Sequence, residues 1–275
     1  MPELPETETI ARDLDAAVAG RRVIAVRVRR ADVLRRTTPR SLARRLRGAR
    51  IVGAWRRAKL VILDLDTGDR LVVQPRFTGA LLVDDGTLPE RERRYATVSM
   101  TLDDARTLHY RDIRRLGTVT LMAPDEWSAY ERALGIEPLD PRFTTARLWE
   151  IVHRSGQAVK KVVMDQRRLA GIGNIYANEA LWRARIDPSR AARSLSHDEV
   201  HAMHDAITTV LREAVAARGT SFRDYRDASG RTGNFAAAVA VYGRGGEPCP
   251  RCGARLVDTA AVDGRTTVFC ARCQR

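Results

Sequence analysis

The sequence predicts an α+β protein with a β-rich first half, a helical second half and a metal-bearing end. Three observations carry this. Short apolar, β-branched runs with turn signals between them occupy most of the chain before Gly135. Helix-period patterns follow after a break at residues 136–142. Two Cys-x-x-Cys pairs close the chain.

The elements follow in order. Residues 6–18 read as a helix with Pro5 near its start, where a missing N–H costs nothing. Residues 23–28 alternate as a strand, and 39–46 read as a second helix. Residues 60–65 (LVILDL), 71–73, 97–102 and 117–122 are apolar and β-branched, so they read as strands. Thr67-Gly68-Asp69 and Asp84-Asp85-Gly86 are turn signals. Residues 136–142 (IEPLDPR) hold breakers and turn formers and read as a linker. Helical patterns then cover 145–154, 158–165, 174–185 and 197–218, with Ser196 and Glu199 at capping-box spacing. No internal repeat or low-complexity tract interrupts them.

At 275 residues the chain is long enough for two domains and a proper core. No apolar run is long enough to cross a bilayer, and the N-terminus lacks the basic-then-apolar signal pattern. These point to a cytoplasmic protein with no membrane partner. The net charge of +14 is uneven: residues 21–60 hold fifteen Lys and Arg against one acid, Asp32. A localised positive field suits a polyanion, nucleic acid first. A solvated arginine-rich surface is the plainer reading of the same bias.

All four cysteines lie near the end: Cys249, Cys252, Cys270 and Cys273, with seventeen residues between the pairs. Each Cys-x-x-Cys makes a knuckle that aims two thiolates at one point, and two knuckles complete a tetrahedral site suited to one structural Zn²⁺. Two disulfides or a mononuclear iron site are the alternatives. Arg265 falls near the tip of the hairpin between the pairs, as an exposed turn residue or as a finger reaching phosphate. Upstream, Gly171-Ile172-Gly173-Asn174 precedes a helix start, with Asn174 placed to cap. Exposed N–H groups there could receive a phosphate, although such a turn is weak evidence alone.

Taken together, these features resemble one family, the formamidopyrimidine-DNA glycosylases. The resemblance runs end to end. It rests on PELPE at the start, RRAKLVILDL (56–65), RDIRRLG (111–117), MDQRRLAGIGNIYANEALWRARIDP (164–188), GRTGNF (230–235), VYGRGGEPCPRC (241–252) and the closing CARCQR. PEL in place of PEG favours the purine-repair branch over the endonuclease VIII branch. The resemblance implies an N-terminal β-sandwich flanked by helices (1–134) and a linker (135–144). A helix–two-turn–helix DNA-binding domain (145–236) and a zinc-binding β-hairpin finger (240–274) would follow. It also implies a monomer that binds damaged double-stranded DNA in a cleft and flips the damaged base out of the stack.

Carried over residue by residue, the resemblance makes Pro2 the nucleophile once Met1 is removed. A model α-amine titrates at about 7.7–8.0, far below a lysine, so much of it is neutral near pH 7. Glu3 would protonate the sugar or shuttle protons. Glu6 reads as a helix-start charge or as a tie on the N-terminus. Lys59, read as strand-borne, would donate a proton in elimination and touch the lesion phosphate. Arg265 would clamp phosphate, since arginine hardly deprotonates. Lys160 and Asn174 would grip the backbone at the lesion, Arg114 would fill the space left by the flipped base, and Arg154 would lie on the DNA face.

The sequence departs from the family pattern at two duplex-wedge positions. Phe77 stands where methionine is usual, and Leu116 where phenylalanine is usual. A size exchange that preserves wedge volume is the expectation, with independent drift as the alternative. Arg93 falls where a DNA-contacting histidine is usual. The activity implied is a bifunctional glycosylase and AP lyase for 8-oxoguanine and formamidopyrimidines. The rivals are an endonuclease VIII-like enzyme for oxidised pyrimidines and a non-catalytic DNA-damage-binding relative.

Overall fold

The computed structural model describes residues 2–221, 225–262 and 264–275. Met1, on which the expected N-terminal processing falls, and Asp263 lie outside them. The chain packs as two compact units: residues 2–132 with 217–236, and 133–216 with 237–275.

The first unit opens on α1 (Leu4–Val18), with Pro5 in its first turn. Its apolar stripe of Ile10, Ala11, Leu14 and Val18 is buried. Strand β1 (Val23–Val28) and helix α2 (Pro39–Leu46) follow, the helix capped by Thr38, whose hydroxyl accepts from the Ser41 N–H. Strands β2 (Ile51–Arg57), β3 (Leu60–Leu65), β4 (Arg70–Gln74) and β8 (Thr118–Met122) make one antiparallel sheet in the order β2-β3-β4-β8. Strands β5 (Gly79–Asp84), β6 (Ala96–Leu102) and β7 (Thr107–Asp112) join β1 in a second, ordered β1-β6-β7-β5. Short α3 (Glu90–Arg93) and α4 (Pro124–Arg132) complete the unit.

Alternate residues of both sheets meet in one core. Val61, Leu63 and Leu65 of β3 and Leu71 and Val73 of β4 share it with Val98, Met100 and Leu102 of β6 and Leu108 and Tyr110 of β7. Leu42 and Leu46 of α2 seal it alongside α1. The β-rich expectation therefore holds, with three strands added. These are β2, β5 and β7, whose Arg, Gly, His and Asp residues blur the apolar alternation.

Residues 217–236 pack with this unit, where the sequence reading grouped them with the helices. Long-range polar contacts decide it. The Val83 N–H donates to the Ala228 carbonyl (3.0 Å), and Arg218 bridges Asp13 (2.5 Å) and Asp227 (2.6 Å). Gly219, at φ +83°, allows the chain to pass so closely that a Cβ there would sit 2.9 Å from the Glu6 carboxylate.

The second unit holds α5 (Thr145–His153), α6 (Val159–Met164), α7 (Asn174–Arg183) and α8 (His197–Ala216). Buried Ile175, Tyr176, Ala180 and Leu181 of α7 and Val200, Met203, Ile207 and Leu211 of α8 form its centre. Ser196 and Glu199 make the expected capping box on α8: each backbone N–H donates to the other's side chain, at 2.8 and 3.3 Å. Strands β9 (Val257–Thr259) and β10 (Thr267–Phe269) pair as an antiparallel hairpin carrying the cysteine end. Among the described residues, no helix is long and apolar enough to cross a membrane.

Candidate active site and nucleic-acid interface

Pro2 and Glu3 are both buried, Glu3 to 1% exposure. Glu6 holds them. One oxygen of its carboxylate accepts the Glu3 N–H (2.8 Å), and the other accepts the Thr220 N–H (2.7 Å). The two readings offered for Glu6 are thus both realised: it serves the helix start and ties the N-terminus to the 217–236 segment. Charge-assisted bonds of this kind are roughly twice as strong as neutral ones. A chain end that would ordinarily fray is thereby immobilised.

Lys59 is not in a strand. Arg57 pairs with Leu60, so Ala58 and Lys59 are the two-residue loop of the β2–β3 hairpin. Ala58 sits at φ +54°, a left-handed conformation costly for alanine. The turn is strapped down on both sides. The Arg56 guanidinium donates to the Ala58 carbonyl (3.1 Å), and Thr7 of α1 reaches the same oxygen at 3.5 Å. Arg56 is itself fixed by Glu8 of α1 at 2.7 Å. Burial raises the pKa of Glu8, but Arg56 and Arg12 outweigh it and hold the carboxylate below its usual range. Lys59 is 8% exposed and rides on a turn locked to the helix that begins at the N-terminus.

A second cluster in the same unit gathers Phe77, Arg114 and Leu116. Their loops are clasped by Asp112, which is 1% exposed. It accepts from the Thr78 hydroxyl, the Tyr110 hydroxyl (3.2 Å) and the Gly117 N–H (2.8 Å). Thr78 in turn accepts the Arg114 N–H (3.0 Å). A Cβ on Gly117 would strike the Tyr110 hydroxyl and come within 2.6 Å of the Gln74 carbonyl, so the loops close only around glycine. The result leaves Phe77 48% and Leu116 38% exposed, with the Arg114 guanidinium 5.4 Å over the Phe77 ring. Two exposed apolar side chains on a rigid double loop have the shape of a wedge. The sequence reading assigned no task to Asp112.

Arg93 has a structural task that residue type could not reveal. Its guanidinium donates to the carbonyls of Leu88 (2.7 Å) and Gly86 (2.8 Å) and pairs with Asp84 at 3.1 Å. It staples the 84–93 loop, which leaves less of the group for a phosphate.

In the second unit, Lys160 is fully buried. Its ammonium donates to the Thr267 hydroxyl (2.6 Å) and the Thr266 carbonyl (3.1 Å). The Thr267 hydroxyl passes the chain on to the Arg265 carbonyl (3.1 Å). Asn174 donates to the same Thr266 carbonyl at 2.9 Å. Asn174 is therefore the first residue of α7 and not its cap, a position held by Gly173. Lys160 and Asn174 thus aim the finger segment on which Arg265 stands exposed. The glycine turn before α7 is braced by Gln166, which accepts the Gly171 N–H (2.9 Å) and donates to the carbonyls of Met164 (2.9 Å) and Ile172 (2.8 Å). Arg154 is exposed at the end of α5.

The four cysteine sulfurs all lie within 4.8 Å of one another, and none is disulfide-bonded. A tetrahedron with ~2.3 Å Zn–S bonds has edges inside that limit, so the donor set fits one zinc ion. Two buried side chains moor the knuckles. Gln274 accepts the Cys270 N–H (2.8 Å) and donates to the Ile186 carbonyl (2.8 Å). Glu179 of α7, fully buried, accepts the N–H groups of Ala240 (2.9 Å), Val241 (2.9 Å) and Tyr242 (2.8 Å). Glu179 was visible only as a helix glutamate in the sequence.

A buried proline and glutamate at the chain start tied down through Glu6, two exposed apolar side chains on clasped loops and a four-cysteine finger on a helical unit fit the class of zinc-finger DNA glycosylases. The comparisons agree. Residues 1–119 match the formamidopyrimidine-DNA glycosylase N-terminal domain, 134–226 its H2TH domain, and 246–275 a zinc finger found in FPG and IleRS. Formamidopyrimidine-DNA glycosylases of Roseiflexus sp. and Thermomicrobium roseum are 41% and 43% identical, covering this whole chain and 100% and 99% of their own. The MutM (Fpg) protein of Thermus thermophilus superposes with a TM-score of 0.87 at 35% identity, covering 99% of this chain and 98% of its own. Lactococcus lactis Fpg, solved in complex with abasic-site DNA, gives 0.91 at 32% identity and covers 99% of each chain. The chain belongs to the formamidopyrimidine-DNA glycosylase family.

Proposed function

We propose that this chain excises oxidised purines, 8-oxoguanine and formamidopyrimidines, from double-stranded DNA and then nicks the strand by β,δ-elimination. The observation that carries the reading is the buried Pro2–Glu3 pair, immobilised through Glu6 in a member of this glycosylase family. Only at the chain start is a proline nitrogen a free secondary amine. Its lone pair attacks C1′ of the flipped nucleotide, and the N-glycosidic bond breaks as the base leaves. Glu3 protonates the ring oxygen, the sugar opens, and the nitrogen becomes a cationic iminium. That cation accepts electron density as the C2′ proton is removed and the 3′-phosphate departs, and again as the C4′ proton is removed and the 5′-phosphate departs.

Lys59, on its locked turn, supplies protons in these eliminations and holds the lesion phosphate. Arg265 clamps phosphate from the finger. Asn174, Lys160 and Arg154 serve the backbone at the lesion, with Lys160 acting largely through the finger segment it aims. Arg114, Phe77 and Leu116 enter the duplex where the base has left. The zinc site is structural, because four thiolates close its shell. The enzyme acts in the cytoplasm on nucleoid DNA.

A matrix of lesion duplexes, oxidised purine and pyrimidine opposite each base, with borohydride present, tests the reading. Purine lesions are expected to be excised fastest and to leave a covalent protein–DNA adduct. Excision without any adduct would remove the iminium step, and a pyrimidine preference would move the chain to the endonuclease VIII branch.

The wedge has its own test. Phe77→Ala is expected to weaken lesion-duplex binding and excision by about 10-fold, the scale of one lost apolar wedge contact. The exchanged pair Phe77→Met with Leu116→Phe is expected to retain activity. Unchanged affinity and excision in Phe77→Ala would end the size-exchange account.

A further inference from the structure

Strand β1 lies at one edge of its sheet and carries charge that nothing above uses. Val26 and Val28 pack toward the core, so strand alternation turns Arg27 to the other face. Arg29 and Arg30 follow just past the strand's end and are also exposed. Facing them are Arg94, on the face of Tyr95 with its guanidinium 4.7 Å from the ring centroid, and Arg115 of the wedge loop. Together they line a groove of about 830 Å³.

Five guanidinium groups thus share one concavity. The single acid in its lining, Asp112, is buried and holds the wedge clasp. Arg27, Arg29 and Arg30 are exposed and make no ion pair among the described residues. Arg115 pairs with Asp32 at 3.0 Å, but both side chains are about half exposed, so the pair is screened and easily exchanged. Like charges lining one wall repel each other and focus a positive field into the groove. Ile113 and Arg115 of the groove wall flank Arg114 of the wedge loop, so the groove adjoins the wedge.

We propose that this groove is an accessory track for the sugar–phosphate backbone of the duplex flanking the lesion. It lengthens the footprint beyond the phosphates at the lesion itself. The proposal rests on the glycosylase reading, since it takes the wedge as its fixed point on the DNA.

The test measures affinity against salt for two duplexes that carry the same central abasic-site analogue, one of about 7 and one of about 25 base pairs. Each phosphate neutralised adds about 0.9 to the slope of log affinity against log salt. For the wild type the long duplex is expected to give a slope steeper by about 3. The triple variant Arg27→Ser/Arg29→Ser/Arg30→Ser is expected to lose that difference and to bind and excise on the short duplex as the wild type does. Equal wild-type slopes, or a variant that keeps the difference, would overturn the track. A variant equally weakened on both duplexes would also overturn it, by assigning the arginines to the fold or to the lesion site. A wild type blind to the lesion in the short duplex would instead overturn the glycosylase reading.

Discussion

A chain whose Pro2 nitrogen is blocked, by a retained Met1 or an uncleaved N-terminal tag, is expected to form no borohydride-trapped adduct. Its excision and strand cleavage are expected to fall by on the order of 10³-fold or more, as when a nucleophile is removed from a unit that acts in concert. The blocked nitrogen is an amide, with no lone pair to offer and no route to an iminium. The surroundings sharpen the result. Pro2 is buried, and the Glu3 N–H that follows it is held by Glu6, so the fixed chain start presents at position 2 only an amide nitrogen, which cannot attack. Lysines are few, and the two in the candidate site, Lys59 and Lys160, are buried in fixed positions. Lesion binding should persist, because wedge and finger are untouched. Mass spectrometry of the N-terminus beside the trapping assay checks the pairing of processed ends with activity. A blocked chain that still traps would place the nucleophile elsewhere.

The sequence made the chemistry of this site more legible than its mechanics. The cysteines announce themselves by type and spacing and the apolar runs of β3, β4 and β6 by alternation, whereas Pro2 and Glu3 stand out only through the resemblance of PELPE to the family's start. What escaped reading depends on contacts far apart in the chain. Lys59 looked strand-borne because LVILDL follows it at once, yet the register of Arg57 with Leu60 makes it a turn residue. That register is visible only when β2, an irregular strand rich in Arg and Trp, is paired. Residues 217–236 read as the tail of a helical region, but Glu6, Asp13 and Val83 draw them onto the β-unit. Asp112 and Glu179 are single buried acids, each collecting three donors, and no local pattern marks such a residue. Arg93 shows the converse: a matched family position suggested DNA, and the structure adds a loop that the same guanidinium holds.

Removal of the zinc is expected to abolish incision by at least about 100-fold while leaving most of the secondary structure intact. The finger cannot stand without the metal. Its buried core is five residues, Val241, Cys249, Leu256, Val268 and Cys270, and its two strands have three residues each. A hairpin of that size is marginal in water. Zinc binding to small cysteine fingers contributes about 10–16 kcal/mol of apparent folding free energy, far more than so small a core could supply. Without the ion, four thiols crowd within 4.8 Å with nothing to hold them, and the hairpin opens. Thr266 and Thr267 then leave Lys160 and Asn174, and Arg265 loses the backbone that aims it. The loss propagates inward as well, since the buried Lys160 ammonium gives up those two acceptors. Incision, far-UV circular dichroism and zinc content, followed together through chelation and zinc return, check the chain of events. Activity should fall and recover with zinc content, while the spectrum barely moves because β9 and β10 contribute so little of it. Full incision by a zinc-free preparation would show that the finger does not position the reacting DNA.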